Sequence, residues 1–178
     1  MFSLALLLCI WPVILISFII ASFDTQSFGI FKQKRVGRYG KIFEIFKLKT
    51  IKWKHDKAII SPCGAFFRKY KIDELPQLFN IIKGDMSIVG PRPDVPGYYD
   101  ILKGTDRELL NLKPGLTSKA SIKYRNEEDI LKQQKNPLLY NDTVIFPDKV
   151  KMNLEYLKQQ SLKQDLIIIY ETLKTYIK

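Results

Sequence analysis

The sequence predicts an α/β fold that is mostly helical, with a small β-hairpin and an N-terminal membrane helix. Residues 1–23 form an uncharged apolar run, and two β-prone runs flank the turn from Gly37 to Gly40. Helical spacing of apolar residues dominates the C-terminal part of the chain. The 178 residues suffice for one domain with a modest core. We therefore expect a membrane-inserted helix over 1–23 and a cytoplasmic-face domain over 24–178 that forms one unit with it.

The N-terminal run is long enough to cross a hydrocarbon core, which takes about 20 residues. Asp24 is the first charged residue, and no Lys or Arg precedes the run, as one would in a signal peptide. Pro12 should kink the helix, so a helix that turns back and one that spans with a bend both fit. The basic residues after the run predict that this side is cytoplasmic. They are Lys32, Lys34, Arg35, Arg38 and Lys41.

Two strands are predicted after this helix, over Gly29–Val36 and Lys41–Thr50, joined by a hairpin turn rich in glycine. Side chains alternate between the two faces of a strand, which puts Lys47 and Lys49 on the same face beside apolar residues. Two lysines there suit a phosphate, and they equally suit a solvated edge that prevents aggregation.

The rest of the chain is predicted from apolar spacing and from turn residues. We predict helices over Cys63–Ile72, Gln77–Ile82, Pro96–Asn111, Asp148–Gln160 and Leu162–Ile177, loops over Ile51–Pro62 and Asn136–Pro147, and a turn at Pro114-Gly115. The last helix is strongly apolar, and it fits both a helix lying in the headgroup region of a membrane and a core helix.

The composition limits the chemistry. A net charge of +11 implies an anionic partner. Cys9 and Cys63 are too few for a disulfide framework or a zinc site. His55 is the only histidine, and it lies in a polar segment where we expect a solvated loop. Metal sites and general bases often use histidine, so we expect this chain to rely on carboxylates instead.

The central stretch, RKYKIDELPQLFNIIKGDMSIVGPRP, places Asp73 and Glu74 between Arg68 and Arg92. A carboxylate can act as a nucleophile, and a second one can hold Mg²⁺ together with substrate phosphates. Arginine binds phosphate oxygens two at a time. The alternatives are a surface helix whose charges face water and an Asp73 that only caps the next helix.

Two prolines refine this prediction. Pro76 cannot continue a helix interior, so the acid pair should lie at a helix break, where a new helix start favours anions. Pro93 forces Arg92 into an extended conformation, which presents its guanidinium with little backbone freedom to lose. A plain rigid turn at Gly90–Pro93 is the alternative.

The segment IDELPQLFNIIKGDMSIVGPRP resembles the signature of the bacterial sugar transferase family, the monotopic phosphoglycosyl transferases, and the similarity covers most of the chain. FKLKT resembles a second element of that family, and this resemblance implies that Lys47 is in the active site. The run SKASIKYRN departs from the family pattern, of which Arg125-Asn126 persists. The sugar is therefore left open.

The resemblance implies a re-entrant N-terminal helix in the inner leaflet of the bacterial inner membrane, with the catalytic domain on the cytoplasmic face. It implies transfer of a sugar 1-phosphate from a UDP-sugar to undecaprenyl phosphate, giving undecaprenyl-diphospho-sugar and UMP. Such a step begins a surface glycan such as a lipopolysaccharide, capsule or exopolysaccharide. It also implies a covalent intermediate on Asp73, Mg²⁺ on Glu74, and phosphate binding by Lys47, Arg68 and Arg92.

Two other functions fit parts of the sequence. A membrane-anchored basic module could bind anionic lipid or nucleic acid, but it would not need the ordered acid pair. A nucleotide-sugar hydrolase would need the acid pair but no membrane helix. We expect no nucleic-acid partner, while the sugar, the glycan pathway and a homodimer stay open.

Overall fold

The computed structural model describes the backbone over residues 2–54 and 57–177 and the side chains over residues 10–53 and 57–176. His55 and the side chain of Cys9 lie outside these residues. The chain forms two compact units, one of residues 1–35 and 43–86 and the other of residues 36–42 and 87–178. The predicted boundary at residue 23 separates a membrane-inserted helix from the rest of the chain. This boundary stays a prediction.

Among its described residues, the first unit contains three α-helices and four strands. They are α1 (Phe2–Thr25), β1 (Ile30–Val36), β2 (Ile42–Leu48), β3 (Ile51–Lys54), β4 (Lys57–Ile60), α2 (Pro62–Lys69) and α3 (Gln77–Lys83). Strands β1 and β2 pair in a two-stranded sheet, which confirms the predicted hairpin. The connection between them lies within residues 36–42, which belong to the second unit. It contains a 3₁₀ turn over Arg38–Gly40, where Gly40 has a φ of 76°, a conformation that glycine adopts at little cost.

The predicted loop over Ile51–Pro62 is wrong. Strands β3 and β4 form an antiparallel hairpin that pairs Ile51 with Ile60 and Trp53 with Ala58. The sequence does alternate apolar and basic residues in Ile-Lys-Trp-Lys, which is a strand pattern. The loop was predicted from the polarity of this segment, although its alternation of apolar and basic residues indicates a strand.

The core of the first unit joins α1, β2 and α2. Ala21, Leu48 and Phe67 are its buried members. The apolar side chains packed against them are those of Phe18, Ile30, Cys63 and Ile72. On α2, Phe67 is in this core, whereas Phe66 and Tyr70 are exposed.

The described part of the second unit contains five α-helices and two short strands. They are β5 (Ser87–Val89), β6 (Gly115–Thr117), α4 (Lys119–Lys123), α5 (Glu127–Lys132), α6 (Pro137–Tyr140), α7 (Phe146–Gln159) and α8 (Leu162–Ile177). Strands β5 and β6 are parallel. The turn predicted at Pro114-Gly115 is therefore wrong, because Gly115 begins β6. A side chain at Gly90 or Gly115 would collide with the backbone of the other segment, so this close approach requires glycine at both positions.

Two further predictions in the second unit are wrong. Pro96–Asn111 is not an α-helix but two 3₁₀ turns, Tyr99–Ile101 and Gly104–Asn111, and Gly104 has a φ of 58° that interrupts an α-helix. Asn136–Pro147 is not a loop. Asn136 caps α6 by accepting a hydrogen bond from the Leu139 amide at 3.1 Å, and a π-helical turn then leads into α7. The Asn and Pro that suggested a loop begin a helix instead.

Two clusters of buried side chains stabilise the second unit. The first contains Val36, Tyr99, Leu109, Leu110 and Val150, and the second contains Val89, Leu112, Tyr156 and Ile168. Ile168 confirms that one side of α8 belongs to a core. Leu166, Tyr170 and Leu173 on the same helix are exposed, so the membrane-surface role of its other side stays a prediction.

Helix α1 contains Pro12, and the kink predicted there stays a prediction. Within residues 2–54 and 57–177, the structure has no helix that is both long enough and apolar enough to cross a membrane. The mostly helical fold with small sheets is confirmed, and the insertion of α1 in a membrane stays a prediction.

Candidate active site

The acid pair lies in a 3₁₀ turn, Ile72–Glu74, between α2 and α3. Asp73 and Glu74 are both buried, with 8% and 5% of their surface exposed. Lys71 begins the turn with a φ of 56°, an uncommon conformation for a residue with a side chain. The N-cap of α3 is Pro76, with no side-chain hydrogen bond, so the suggestion that Asp73 caps this helix is wrong.

Two lysine side chains approach Glu74. Lys47 Nζ, from β2, donates a hydrogen bond to Glu74 Oε1 at 3.1 Å, and Lys71 Nζ lies 4.0 Å from the same oxygen. Lys49 instead donates to Ser27 Oγ at 2.9 Å, at an exposed position. The structure thus distinguishes the two lysines that strand alternation left equivalent, and it places Lys47 with the acid pair.

Arg68 is held near the acid pair by the C-terminal end of the hairpin. Its Nε donates a hydrogen bond to Thr50 Oγ1 at 2.8 Å. A Cβ at Gly64 would collide with the backbone of Thr50, so this glycine allows α2 to approach closely enough for that bond. The bond fixes one edge of the guanidinium, which restricts the orientation of its other nitrogen atoms.

The carboxyl group of Asp73 is incompletely hydrogen-bonded. Its Oδ1 is buried and has no hydrogen-bond partner in the described part of the chain. Burial raises the pKa of the Asp73 carboxyl and the charge of Glu74 adds to the rise, while Lys47, Lys71 and Arg68 oppose it. Buried polar atoms are normally hydrogen-bonded, so an unpaired carboxyl oxygen beside three cations calls for a functional explanation.

Asn80 supports the site from α3. Its side chain is fully buried, donates to the Glu44 carbonyl oxygen at 2.7 Å and accepts from the Phe46 amide at 3.1 Å. These bonds hold β2 where it can deliver Lys47 to the acid pair. The sequence analysis missed Asn80, Thr50 and Lys71. The spacing of Lys71 three residues before Glu74 could have identified it, whereas Asn80 and Thr50 carry no such signal.

Arg92 belongs to the second unit. It is half-buried between the buried residues Pro91 and Pro93 in a segment without helix or strand. The Pro91 carbonyl accepts from the Gly115 amide at 2.8 Å, and the Asp94 carbonyl accepts from the Val36 amide at 2.9 Å. The structure therefore brings four of the five predicted side chains together in the first unit, and it restrains the backbone on both sides of Arg92 within the second.

The acid pair fits a Mg²⁺ ion that is completed by a substrate. No three His, Cys, Asp or Glu side chains converge among those described. Mg²⁺ usually takes one or two protein carboxylates and completes its shell with substrate phosphates and water. Two adjacent buried carboxylates, one of them with an unpaired oxygen, supply that smaller number of ligands.

A profile described as "Bacterial sugar transferase" matches residues 1–178. The chain belongs to the bacterial sugar transferase family. This match confirms the resemblance inferred from the sequence, and it covers both units.

Three relatives show what this chain is similar to. It is 32% identical over 170 residues to galactosyl transferase CpsE of Streptococcus agalactiae, which is 84% of this chain and 34% of that protein. It is 36% identical over 118 residues to a putative undecaprenyl-phosphate N-acetylgalactosaminyl 1-phosphate transferase of Bacillus subtilis, covering 61% of this chain and 62% of that protein. It is 30% identical over 175 residues to the undecaprenyl-phosphate galactose phosphotransferase of Salmonella typhimurium, covering 84% of this chain and 33% of that protein. The chain thus spans about a third of the length of two of these relatives and less than two thirds of the other.

Proposed function

We propose that this sugar transferase moves a sugar 1-phosphate from a UDP-sugar to undecaprenyl phosphate, giving undecaprenyl-diphospho-sugar and UMP. The single observation that carries the proposal is Asp73, a buried carboxyl with an unpaired oxygen beside basic side chains. The names of the Bacillus subtilis and Salmonella typhimurium relatives support the lipid acceptor. The reaction would begin a bacterial surface polysaccharide.

Asp73 is the proposed nucleophile. Its carboxylate oxygen forms a bond to the β-phosphorus of the donor, the bond from that phosphorus to the bridging oxygen breaks, and UMP leaves with the electron pair. A phosphate oxygen of undecaprenyl phosphate then attacks the same phosphorus and displaces the carboxylate. Two steps through an enzyme carboxylate avoid bringing two anionic substrates together in a single transition state.

The basic side chains hold phosphate oxygens. Lys47 and Arg68 flank the acid pair, and their charges offset the charge of the donor diphosphate. We assign the same role to Arg92 because it lies in the segment that resembles the family signature. Its backbone is restrained, and a guanidinium can donate two hydrogen bonds to phosphate oxygens. Phosphoryl transfer depends mainly on positioning and charge stabilisation, and these side chains provide both.

Glu74 is the proposed ligand of Mg²⁺. When bound, the ion would neutralise charge on the donor diphosphate. Glu74 would hold the ion, and Lys47, whose Nζ lies 3.1 Å from Glu74 Oε1, would offset negative charge beside it.

The lipid acceptor requires the enzyme at a membrane, and we propose the cytoplasmic face of the inner membrane. Helix α1 exposes apolar side chains, including Trp11, Ile16 and Phe23, that a hydrocarbon environment would cover. Its insertion as a re-entrant helix and the assembly of two copies as a homodimer belong to the same proposal.

The decisive experiment separates the two half-reactions. The purified full chain, with Mg²⁺ and a panel of radiolabelled UDP-sugars but no lipid acceptor, should release UMP in an amount limited by the enzyme. It should keep labelled sugar phosphate, and mass spectrometry should locate the adduct on Asp73. Continuous release of UMP together with free sugar phosphate would instead identify a nucleotide-sugar hydrolase. UMP release that requires undecaprenyl phosphate from the start would rule out the covalent mechanism.

A further inference from the structure

The β3–β4 hairpin of the first unit has one apolar face. Residues directly opposite each other in an antiparallel pair point to the same side, and the register places Ile51 opposite Ile60 and Trp53 opposite Ala58. Strand alternation places these four side chains on one face and puts Lys52 and Ile59 on the other. The apolar side is therefore continuous over both strands.

This apolar face is uncovered. Trp53 is 75% exposed, and Ile51, Ala58 and Ile60 are also exposed. Among the residues that the structure describes, the two strands form a two-stranded sheet of their own. A two-stranded hairpin is marginally stable in water by itself, and an exposed apolar patch with polar borders is typical of a surface that contacts a partner.

The hairpin is attached to the end of α1. Lys52, on the opposite face, forms an ion pair with Asp24 in the last turn of the helix, with 3.5 Å between Nζ and Oδ1. Ser61, just after β4, hydrogen-bonds to the same aspartate. The face that carries Lys52 is thereby turned toward α1, and the apolar face is turned away from it. Phe23, beside Asp24, is 80% exposed.

The composition of the hairpin identifies the partner. Residues 51–60 contain three lysines and one aspartate, next to a tryptophan and three isoleucines. Tryptophan is enriched at the level of lipid headgroups, and lysines beside an apolar surface are attracted to anionic lipids. A protein partner would not need this combination at the end of an apolar helix.

We propose that the β3–β4 hairpin is a second membrane contact, which lays Ile51, Trp53 and Ile60 into the headgroup region of an anionic bilayer. The proposal rests on the proposed insertion of α1. It adds a function for the hairpin, because two contact points fix the tilt of the first unit, and with it the height of the acid pair above the lipid phosphates.

The two tryptophans of the chain allow the two contacts to be measured separately. Trp11→Phe leaves Trp53 as the only tryptophan, and Trp53→Phe leaves Trp11 in α1. Each full-length variant is reconstituted in vesicles of phosphatidylethanolamine and phosphatidylglycerol whose acyl chains carry bromine near the headgroups or near the methyl ends. We expect Trp53 emission to shift to the blue and to be quenched more by the shallow bromines than by the deep ones.

The outcomes distinguish this proposal from the proposed function. Quenching of Trp11 but not of Trp53 would overturn the hairpin contact and leave the insertion of α1 intact. Absence of quenching at both would overturn both. A blue shift of Trp53 that rises with protein concentration, without quenching by bromine, would identify a second copy as the partner and overturn the proposal.

A charge reversal tests the lipid preference. In the Trp11→Phe background, Lys57→Glu should lower the quenching of Trp53 in vesicles that contain phosphatidylglycerol. In the Trp53→Phe background, the same substitution should leave Trp11 unchanged. Equal quenching of Trp53 with and without Lys57→Glu would overturn the attraction to anionic lipid.

Discussion

Asp73 and Asn80 are both buried polar residues of the first unit, but their hydrogen bonding differs. Asn80 donates to the Glu44 carbonyl and accepts from the Phe46 amide. Asp73 Oδ1 has no partner within the described part of the chain, and burial raises the pKa of its carboxyl. A satisfied amide stabilises the fold, because breaking it would leave backbone groups unpaired. A buried carboxyl oxygen without a hydrogen bond lowers the stability of the fold. This indicates that the carboxyl group has a chemical role.

The comparison teaches that burial alone does not identify a reactive group. Both side chains lie in the segment that resembles the family signature, and both are polar. The hydrogen-bond partners separate them: two backbone groups for Asn80 and none for Asp73 Oδ1 among the described residues. Each prediction below tests one side of this contrast.

The largest expected effect is the loss of turnover in Asp73→Asn. This variant keeps the shape of the side chain but lacks the nucleophilic oxygen, so we expect a loss on the order of 10⁴-fold or more, the scale seen when a nucleophile is removed. The measurement is UMP release with both substrates present. The labelled adduct should also be absent. Turnover close to that of the wild type would show that Asp73 is buried for another reason.

Glu74→Gln should lower activity and metal dependence together. The substitution removes a charge that pairs with Lys47 and that we assign to Mg²⁺. Chelation should abolish turnover in the wild type, and the variant should need more Mg²⁺ for half-maximal rate. Its activity should fall by at least about 10-fold, because changing residues that only support metal ligands already costs about 10- to 100-fold. An unchanged Mg²⁺ titration would remove Glu74 from the metal site.

The loss of rate on replacing each basic side chain should depend on its position in the structure. Arg68→Ala and Arg92→Ala should each cost about 1.5 to 3 kcal/mol, which is about one to two decades in rate. Lys49→Ala is the matched control, because Lys49 bonds to Ser27 at an exposed position, and it should change the rate by less than either arginine. A larger loss in Lys49→Ala than in either arginine variant would show that the wrong lysine has been assigned to phosphate binding.

The last two predictions concern stability. Asn80→Leu should have the smallest effect on rate, and its effect on stability should be opposite to that of Asp73→Asn. Asn80→Leu leaves two backbone groups of β2 without partners and should cost about 1 to 3 kcal/mol of the free energy of unfolding. A change of 1 kcal/mol corresponds to about 2 to 4 °C in Tm for a chain of this size. The rate per folded molecule should change far less than in Asp73→Asn.

Asp73→Asn should instead raise the free energy of unfolding at neutral pH. Because the folded state raises the pKa of Asp73 above its ordinary value of 3.8, the folded state binds this proton more tightly than the unfolded state does. Wild-type stability therefore falls as pH rises through the interval between the two pKa values. The gain in Tm from Asp73→Asn should be largest above this interval and vanish below pH 3.8. A destabilised Asp73→Asn variant at neutral pH would mean that the carboxylate has a stabilising partner.

The sequence by itself determined the helical character, the first hairpin and the residues of the acid pair. Helices α3, α7 and α8 follow from apolar spacing, and the β1–β2 hairpin follows from two β-prone runs around glycines. These signals are local, because they depend on neighbours within a few residues along the chain. The motif around Asp73 could also be recognised in the sequence, because its residues are contiguous.

Only the tertiary structure decided which polar groups meet. Strand alternation put Lys47 and Lys49 on one face, and only the placement of β2 near the Ile72–Glu74 turn gave Lys47 a carboxylate partner and Lys49 a hydroxyl. The role of Asn80 depends on backbone groups of another strand, more than thirty positions away in the sequence. The physical reason is that hydrogen bonds and desolvation act over a few ångströms in space, and the distance along the chain does not reveal which groups fall within that range.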